Sequence, residues 1–294
     1  MTVFAFLYLN LIFSQGQDFS KVKIKTIKVS KNIYMLIGAG GNIGVSAGQD
    51  GVYIIDDQYA PLNKKIKQAV KKISNKTIRF VINTHWHGDH TGGNELMGKT
   101  GSVIIAQENV RKRMSVENFN TVLNRKTPPS PKNALPVITF PQEMGLHLNN
   151  ELAKIIHFKN AHTDGDSIVY FPQSNVLHTG DIFVNGLFPF VDADAGGSFL
   201  GILAAVKEIL TLCDDQTKII PGHGLLGNKK DLQQYFEMLK TVKMRLSALI
   251  AKGKSIDQVV ALNPLKDLDQ KWGQGFMKLE MFTRIVYNSL KLAD

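Results

Sequence analysis

Cysteine is almost absent from this sequence: Cys213 is the only one in 294 residues. A single cysteine excludes an intramolecular disulfide, and it also excludes a metal site built from several thiolates. Cys213 follows the largely apolar stretch 209–212, so we interpret it as a buried side chain without a chemical role. Long apolar runs are missing as well, and the sequence shows no segment of the about 20 residues that a membrane-spanning helix requires.

Acidic side chains are fewer than basic ones: 25 Asp and Glu residues stand against 35 Lys and Arg residues, a formal net charge of +10. Such an excess is typical of proteins that bind nucleic acids or anionic surfaces. The lysines are dispersed apart from a group at 64–72, and aromatic residues do not alternate with them as in nucleic-acid-binding platforms. We therefore interpret the excess as a solvated basic face and predict no nucleic-acid partner.

The N-terminus carries an apolar run over residues 3–13, interrupted only by Asn10. The run is too short to cross a bilayer as a helix, but it has the length of the apolar region of a secretory signal peptide. Residues 14–16 offer small side chains for cleavage, whereas the usual positive charge before the run is missing; a buried first strand is the alternative. The pattern predicts a signal peptide over residues 1–16, and thus a periplasmic or secreted protein.

The rest of the chain, residues 20–294, is predicted to form one domain of the α/β (α+β) class. Short apolar strands separated by turns come first, and a helix beginning at Pro61 precedes the buried strand 78–82. A second series of strands follows a proline-rich loop. Strands, a helix and strands again fit two packed sheets with helices outside. The C-terminal part, 228–294, is predicted to be helical, over 229–252, 256–262 and 275–292.

Histidine is the residue type with the most informative distribution. Three of the eight histidines lie within six residues, in His85-Trp86-His87-Gly88-Asp89-His90. Side chains at i and i+2 of an extended segment point the same way, so His85 and His87 can converge on one metal ion. A turn at Gly88 lets Asp89 and His90 face a second ion. Three protein ligands and a water molecule make an open, catalytic zinc site.

Three further segments place a ligand type beside glycine at the end of a predicted strand. They contain His162 (segment 160–166), Asp181 (segment 178–181) and His223 (segment 221–224). His147 and His157 stand alone, and we interpret them as surface or hydrogen-bonded histidines. His178 has two interpretations, a structural role or a contact at the edge of the site.

The hexapeptide resembles the H-x-H-x-D-H signature of the metallo-β-lactamase superfamily, and the remaining pieces occur in the family's order. The apolar strand 52–55 followed by Asp56 looks like its first motif, and His162, Asp181 and His223 fall at its third, fourth and fifth motifs. The resemblance covers roughly residues 30 to 225. It implies the four-layer αββα sandwich of that family.

The resemblance also implies two zinc ions per chain, although histidine and carboxylate ligands accept iron or manganese too. Seven side chains would hold the metals: His85, His87 and His162 the first, Asp89, His90 and His223 the second, and Asp181 both or the second. Asp56 would orient a ligand or the motif loop from outside. The neighbouring Asp57 competes for that role, and the position directly after the strand favours Asp56.

By the same resemblance the protein is a zinc-dependent hydrolase, in which a metal-bound hydroxide attacks a carbonyl carbon of a small molecule. Asp89 would be catalytic, because it would orient the nucleophile and carry a proton. β-Lactam hydrolysis is the first hypothesis, and hydrolysis of an ester, lactone or thioester is the alternative. The best-known β-lactamase branch has a cysteine in its second site, whereas Asp181 looks more like the branch of glyoxalase II and the lactonases. An RNA-processing nuclease and a non-enzymatic metal-binding protein are further alternatives.

Three regions outside the motifs are candidates for shaping the site. The apolar and aromatic loop 186–191 follows the fourth motif and is predicted either to wall the site or to cover the core. The glycine-rich segment 38–42 lies where the family carries a mobile substrate hairpin. The helical part beyond the fifth motif caps the sandwich, shapes the pocket or forms a dimer interface, and the oligomeric state stays open.

Overall fold

The protein is represented by a computed structural model, which describes residues 18–292. The predicted signal peptide over residues 1–16 therefore lies outside the described residues. Within residues 18–292, no helix is both long enough and apolar enough to cross a membrane.

Strands and helices alternate along the described chain. The strands are β1 (Lys25–Lys28), β2 (Ile33–Ile37), β3 (Ile43–Gly48), β4 (Gly51–Ile55), β5 (Ile78–Ile82), β6 (Val103–Gln107), β7 (Asn118–Asn120), β8 (Arg125–Thr127), β9 (Ile138–Phe140), β10 (Glu143–Leu148), β11 (Glu151–His157), β12 (Ser167–Phe171), β13 (Val176–His178), β14 (Lys218–Ile220) and β15 (Gly227–Asn228). The helices are α1 (Asn63–Ile73), α2 (Gly88–Thr91), α3 (Asn94–Gly98), α4 (Glu108–Met114), α5 (Phe199–Thr211), α6 (Lys229–Ala251), α7 (Ile256–Leu262), α8 (Lys266–Trp272) and α9 (Leu279–Lys291).

The strands form two large sheets and a hairpin within the described residues. The first sheet has the order β1-β2-β3-β4-β5-β6-β9, antiparallel up to β4 and parallel from β4 onward. The second has the order β10-β11-β12-β13-β14-β15, in which only β13 and β14 run parallel. β7 and β8 pair with each other. Both sheets therefore contain neighbouring parallel strands whose carboxyl ends lie at one edge.

The layer order follows from the alternation of side chains along β4. Val52 and Ile54 pack with α1 in one buried cluster on the outer face of the first sheet. Tyr53 and Ile55 point the opposite way into a cluster shared with the second sheet, where the rings of Tyr53 and Phe171 stack at 6.5 Å. A third cluster packs α5, α6 and α9 on the outer face of the second sheet. The predicted four-layer αββα sandwich is thus confirmed.

Local sequence signals define the ends of the long helices. The Ser198 side chain accepts a hydrogen bond from the Gly201 amide at the start of α5. Asn228 and Asp231 form a reciprocal capping box at the start of α6, and Ser255 and Gln258 do the same for α7. The predicted starts at residues 229 and 256 agree with the starts of α6 and α7.

The C-terminal part and the insertion after α4 differ from the prediction. The helix predicted from residue 275 begins at Leu279, and α8 was not predicted, although Leu265, Leu268 and Trp272 have helical spacing. The β7–β8 hairpin was missed because its short strands are exposed or half-buried and lack an apolar alternation.

Candidate metal centre

The candidate ligands meet where the loops following strands of both sheets converge. The loop after β5 carries His85, and the loop after β14 carries His223. Hydrogen bonds tie the two sheets together here: the Ser167 amide donates to the Thr84 carbonyl at 2.8 Å. The Asn42 amide likewise donates to the Gly222 carbonyl at 2.7 Å. Carboxyl ends of parallel strands form the crevice in which α/β sheets place their sites.

The hexapeptide changes conformation at His87. That residue is extended, with φ −63° and ψ 147°, and it caps the short helix α2. The amides of His90 and Thr91 both donate to the His87 carbonyl at 3.0 Å. The predicted reversal at Gly88 is therefore a helical turn, which places the His90 ring 4.2 Å from the His85 ring and brings Asp89 and His90 into a second group with His223. A Cβ added at Gly88 would meet no atom of the described chain within 4 Å, so the turn does not require glycine there.

The structure brings all seven predicted ligands together. Their candidate ligand atoms form three groups, each within 4.8 Å: His85, His87 and His162; Asp89, His90 and His223; and His85, His90 and Asp181. We call the first group the three-imidazole cluster and the second group the mixed cluster. Asp181 joins them, since one of its oxygens lies 3.7 Å from His162 Nε2 and 3.5 Å from His223 Nε2.

In the three-imidazole cluster each ring uses one nitrogen for an outer partner and turns the other inward. His87 Nε2 contacts Asp192 Oδ2 at 2.8 Å, and its Nδ1 lies 2.9 Å from His162 Nε2. His162 Nδ1 donates to the Phe190 carbonyl at 2.8 Å. His85 Nδ1 contacts the Thr84 hydroxyl at 3.0 Å, whereas His85 Nε2 is buried without a hydrogen-bond partner in residues 18–292. A buried, unpartnered imidazole nitrogen aimed at two others fits a metal ligand.

The mixed cluster combines imidazole with carboxylate. His223 Nε2 lies 3.2 Å from Asp89 Oδ2 and 3.3 Å from His90 Nε2. His90 Nε2 is also 3.2 Å from Asp181 Oδ1. On its outer side, His90 Nδ1 contacts Asp56 Oδ2 at 2.7 Å. Imidazole nitrogens and carboxylate oxygens at this spacing are a donor set that divalent zinc accepts.

Asp56, rather than Asp57, contacts a candidate ligand. Asp56 is fully buried, adopts a positive φ of 63°, and accepts hydrogen bonds at 2.8 Å from both the amide and the hydroxyl of Thr84. Asp57 turns instead to the Gly93 amide, at 2.9 Å. Asp56 thereby holds His90 in one orientation and connects it to the loop that carries His85.

Two glycines allow the backbone to approach the candidate ligands. A Cβ added at Gly41 would collide with the His90 ring, and one added at Gly222 would collide with Asp181 Oδ1. Any side chain at these positions would displace a candidate ligand. The glycine-rich segment 38–42 therefore packs against His90 of the mixed cluster. A single sequence offers no specific signal for this role.

The ionisable side chains of the two clusters differ in their pKa values. Burial and the neighbouring His87 lower the pKa of His162 to about 4. Burial opposes the cationic form of His223 as well, but the charges of Asp181 and Asp89 outweigh it and raise the pKa of His223 to about 9. Burial opposes ionisation of Asp89, yet the charge of His90 and a hydrogen bond from His223 lower its pKa to about 2. The mixed cluster thus holds protons that metal ions would displace.

Asp192 is a site residue that sequence reasoning missed. One of its oxygens contacts His87, and the other accepts a hydrogen bond from the Asn120 side chain at 2.9 Å. Burial opposes ionisation of Asp192, but its hydrogen bond with His87 lowers the carboxyl pKa. Asp192 lies in a loop without a motif, so nothing in the sequence distinguished it from other aspartates.

The remaining histidines and the cysteine lie outside the two clusters. His178 is buried beside the site, where its Nε2 donates to the Asn42 carbonyl at 3.0 Å and its Nδ1 accepts from the Gly180 amide at 3.3 Å. His157 contacts the Asp166 carbonyl at 2.7 Å, and His147 is exposed on β10. Cys213 is buried.

The fold and the two His/Asp clusters define a metallo-hydrolase architecture. The sequence profile of the metallo-β-lactamase superfamily matches residues 36–223, and the chain belongs to this superfamily. The resemblance seen in the motifs is thereby confirmed.

Relatives and a similar structure carry several activities. A hydroxyacylglutathione hydrolase from Pelagibacter ubique is 27% identical over 161 residues, which cover 53% of this chain and 57% of that enzyme. A type 2 metallo-β-lactamase from Bacillus cereus is 20% identical over 191 residues, 65% of this chain and 69% of that enzyme. The solved sec-alkylsulfatase Pisa1 from Pseudomonas sp. has a TM-score of 0.66 at 17% identity, covering 90% of this chain and 50% of that one. The family is therefore shared by enzymes with different substrates.

Proposed function

We propose that this protein is a two-metal hydrolase that cleaves the acyl bond of an ester, lactone or thioester. The position of Asp181 carries the proposal, because its carboxylate lies between the three-imidazole cluster and the mixed cluster. An aspartate at this motif resembles the glyoxalase II and lactonase branch. The match to a hydroxyacylglutathione hydrolase supports the same choice.

In this proposal the three-imidazole cluster would hold one zinc ion and the mixed cluster the other, with Asp181 available to either. Metal ions held there would supply Lewis acidity to a water molecule and to a carbonyl group. Asp56, Asp192 and the Phe190 carbonyl keep the imidazoles in the orientation that turns one nitrogen inward.

Asp89 is the proposed catalytic carboxylate. Its Oδ2 faces His223 at 3.2 Å. Burial is outweighed by the protonated rings of His90 and His223 beside it, and the pKa of Asp89 is lowered to about 2, so the carboxylate is an acceptor. It orients the attacking water by accepting a hydrogen bond, and it passes the proton on towards the leaving group.

β-Lactam hydrolysis is the second candidate. It was the first hypothesis from the sequence, and the type 2 metallo-β-lactamase from Bacillus cereus that matches 191 residues of the chain supports it. Asp181 in place of the cysteine of the best-known β-lactamase branch is the reason that we rank it second.

The test is a substrate panel with the metal-loaded, purified protein. Metal content would be measured by mass spectrometry, and hydrolysis would be followed for p-nitrophenyl esters, acyl-lactones, thioesters and a chromogenic cephalosporin. Asp181→Asn should abolish turnover of the preferred class, whereas the exposed Asp215→Asn serves as the matched control. Turnover of the cephalosporin alone would overturn the ranking, and two bound metals without any turnover would overturn the acyl-hydrolase proposal.

Export remains a separate proposal. The apolar run over residues 3–13 supports a signal peptide over residues 1–16, and so a periplasmic or secreted enzyme. N-terminal sequencing of the protein isolated from its cell would test it, since an intact N-terminus in the cytoplasm would contradict cleavage.

A further inference from the structure

An aromatic wall stands next to the three-imidazole cluster. The Phe190 ring centroid lies 6.1 Å from that of His87 and 5.9 Å from that of His162. The Phe276 ring follows at 6.5 Å from Phe190, nearly perpendicular at 84°. Leu187 lies on the same loop as Phe190, and all three apolar side chains are half-buried. The candidate metal centre thus has one apolar flank.

The C-terminal part of the chain holds this wall in place. The Phe188 ring stacks on Phe282 of α9 at 4.3 Å, and the Phe188 amide donates to the Trp272 carbonyl at 2.8 Å. Gly275 lies against Leu187 so closely that an added Cβ would be 2.8 Å from the leucine Cδ2. Phe276 lies beyond the matched residues 36–223, whereas Leu187 and Phe190 lie within them, so the flank combines residues from inside and outside the superfamily match.

Burial divides the side chains of the loop into two groups. Phe188 is only 3% exposed, and its contact with α9 accounts for the fixed position of the loop. Leu187, Phe190 and Phe276 each keep part of their surface accessible, and the Phe190 ring lies against the rings of His87 and His162. Apolar surface beside a polar centre favours a ligand that carries a reactive polar group and an apolar remainder. Binding of that remainder would orient the reactive bond.

We propose that Leu187, Phe190 and Phe276 form a subsite for the apolar acyl or aromatic group of the substrate, and that Phe276 limits its size. The inference rests on the proposed acyl hydrolase function and names its substrate class. Its occupant is a hydrocarbon group next to the scissile carbonyl, because Phe190 contacts the rings of two candidate metal ligands.

The test measures binding separately from turnover. Acetate, butyrate, hexanoate and octanoate would be titrated calorimetrically into the metal-loaded protein. An apolar subsite should raise the affinity about two- to fourfold for each added methylene group until the subsite is filled. Phe276→Ala should extend this gain to longer acids, because it removes the side chain that limits the subsite, and the control is Phe119→Ala, which removes a 47% exposed phenylalanine on β7.

A second variant keeps the inference testable if Phe276→Ala fails to fold. Phe276→Trp fills the subsite, so it should keep the affinity for butyrate and lose the extra affinity for octanoate. A chain-length dependence that is flat in the wild type, or equal in all four proteins, would overturn the inference. A normal dependence together with absent hydrolysis of every acyl substrate would instead leave the subsite standing and overturn the proposed function.

Discussion

The two clusters are built alike but differ in charge. Each takes two side chains from the hexapeptide after β5 and a third from a loop of the second sheet, His162 in one case and His223 in the other. The three-imidazole cluster contains imidazoles alone, and its carboxylate, Asp192, stands outside it. The mixed cluster contains Asp89 directly and has Asp56 behind His90. Two sites with the same arrangement of ligands along the chain thus differ in how strongly protons compete with metal ions for those ligands.

The largest effect is expected from His87→Ala. The variant removes an inward nitrogen of the three-imidazole cluster and also leaves buried Asp192 without its imidazole partner. Activity should fall by more than the roughly 10- to 100-fold that the loss of an outer partner costs. Metal content should drop towards one ion per chain, while the exposed His147→Ala should behave as the wild type. Two tightly bound ions in His87→Ala would contradict the assignment.

Gly222→Ala should have the second-largest effect on activity. The added methyl group collides with Asp181 Oδ1 and with the Gly180 backbone, so it displaces the carboxylate that joins the clusters. A misplacement of about 1 Å at such a centre costs about 100-fold in rate. Gly88→Ala is the control, because its methyl group meets no described atom within 4 Å. If both variants lost activity equally, close packing on Asp181 would not be the cause.

Substitution of each outer carboxylate, Asp192 or Asp56, should weaken metal binding at one cluster only. Asp192→Asn should weaken metal binding at the three-imidazole cluster, and Asp56→Asn should weaken it at the mixed cluster, each by about 10- to 100-fold. Asparagine tolerates the positive φ of 63° at position 56, so the backbone can stay unchanged. Stepwise cobalt titration with spectroscopic detection would show which of the two binding steps changes. Identical titration curves for the two variants would refute the separate roles.

The smallest effect concerns pH. The pKa of His223 is raised to about 9, so its proton must leave before a metal ion binds, and the affinity of the mixed cluster should increase as pH rises from 7 to 9. Each displaced proton contributes about tenfold per pH unit. The pKa of His90 is raised as well, despite its burial, by the charges of Asp181 and Asp89. In the three-imidazole cluster the pKa of His162 is lowered to about 4, and only His87 has a raised pKa, because its hydrogen bond with Asp192 outweighs its burial. The increase in metal affinity per pH unit, measured with the Asp56→Asn and Asp192→Asn proteins, should therefore be larger for the mixed cluster than for the three-imidazole cluster. Equal slopes for the two clusters would contradict their difference in charge.

Much of the fold and of the site was predictable because the signals are local. Continuous apolar runs marked β4 and β5, and the i, i+2 spacing predicted that His85 and His87 converge. The helices predicted from residues 229 and 256 begin at those residues in the structure, where local side-chain caps lie at the starts of α6 and α7. The resemblance to the superfamily then identified His162, Asp181 and His223 as candidates, and the structure brings them to the hexapeptide.

Other features have no local signal. Asp192 meets His87 across 105 positions of sequence, in a loop that resembles any polar turn. Phe276 reaches Phe190 only because Phe188 stacks on Phe282 and the loop is held against the C-terminal helices. Gly88 shows that the sequence can indicate a turn without its steric detail, since the predicted turn forms there and the structure has space for a methyl group.

The sequence by itself determined the class of this protein, because strand alternation and ligand spacing act over a few residues and the motif order is readable in one dimension. Tertiary structure alone decided which carboxylate supports which imidazole, where Asp181 lies between the clusters, and which apolar side chains face the site. These contacts join residues that are distant along the chain. Their geometry follows from how two sheets and the C-terminal helices pack, which depends on the shape of the whole buried core rather than on any single segment.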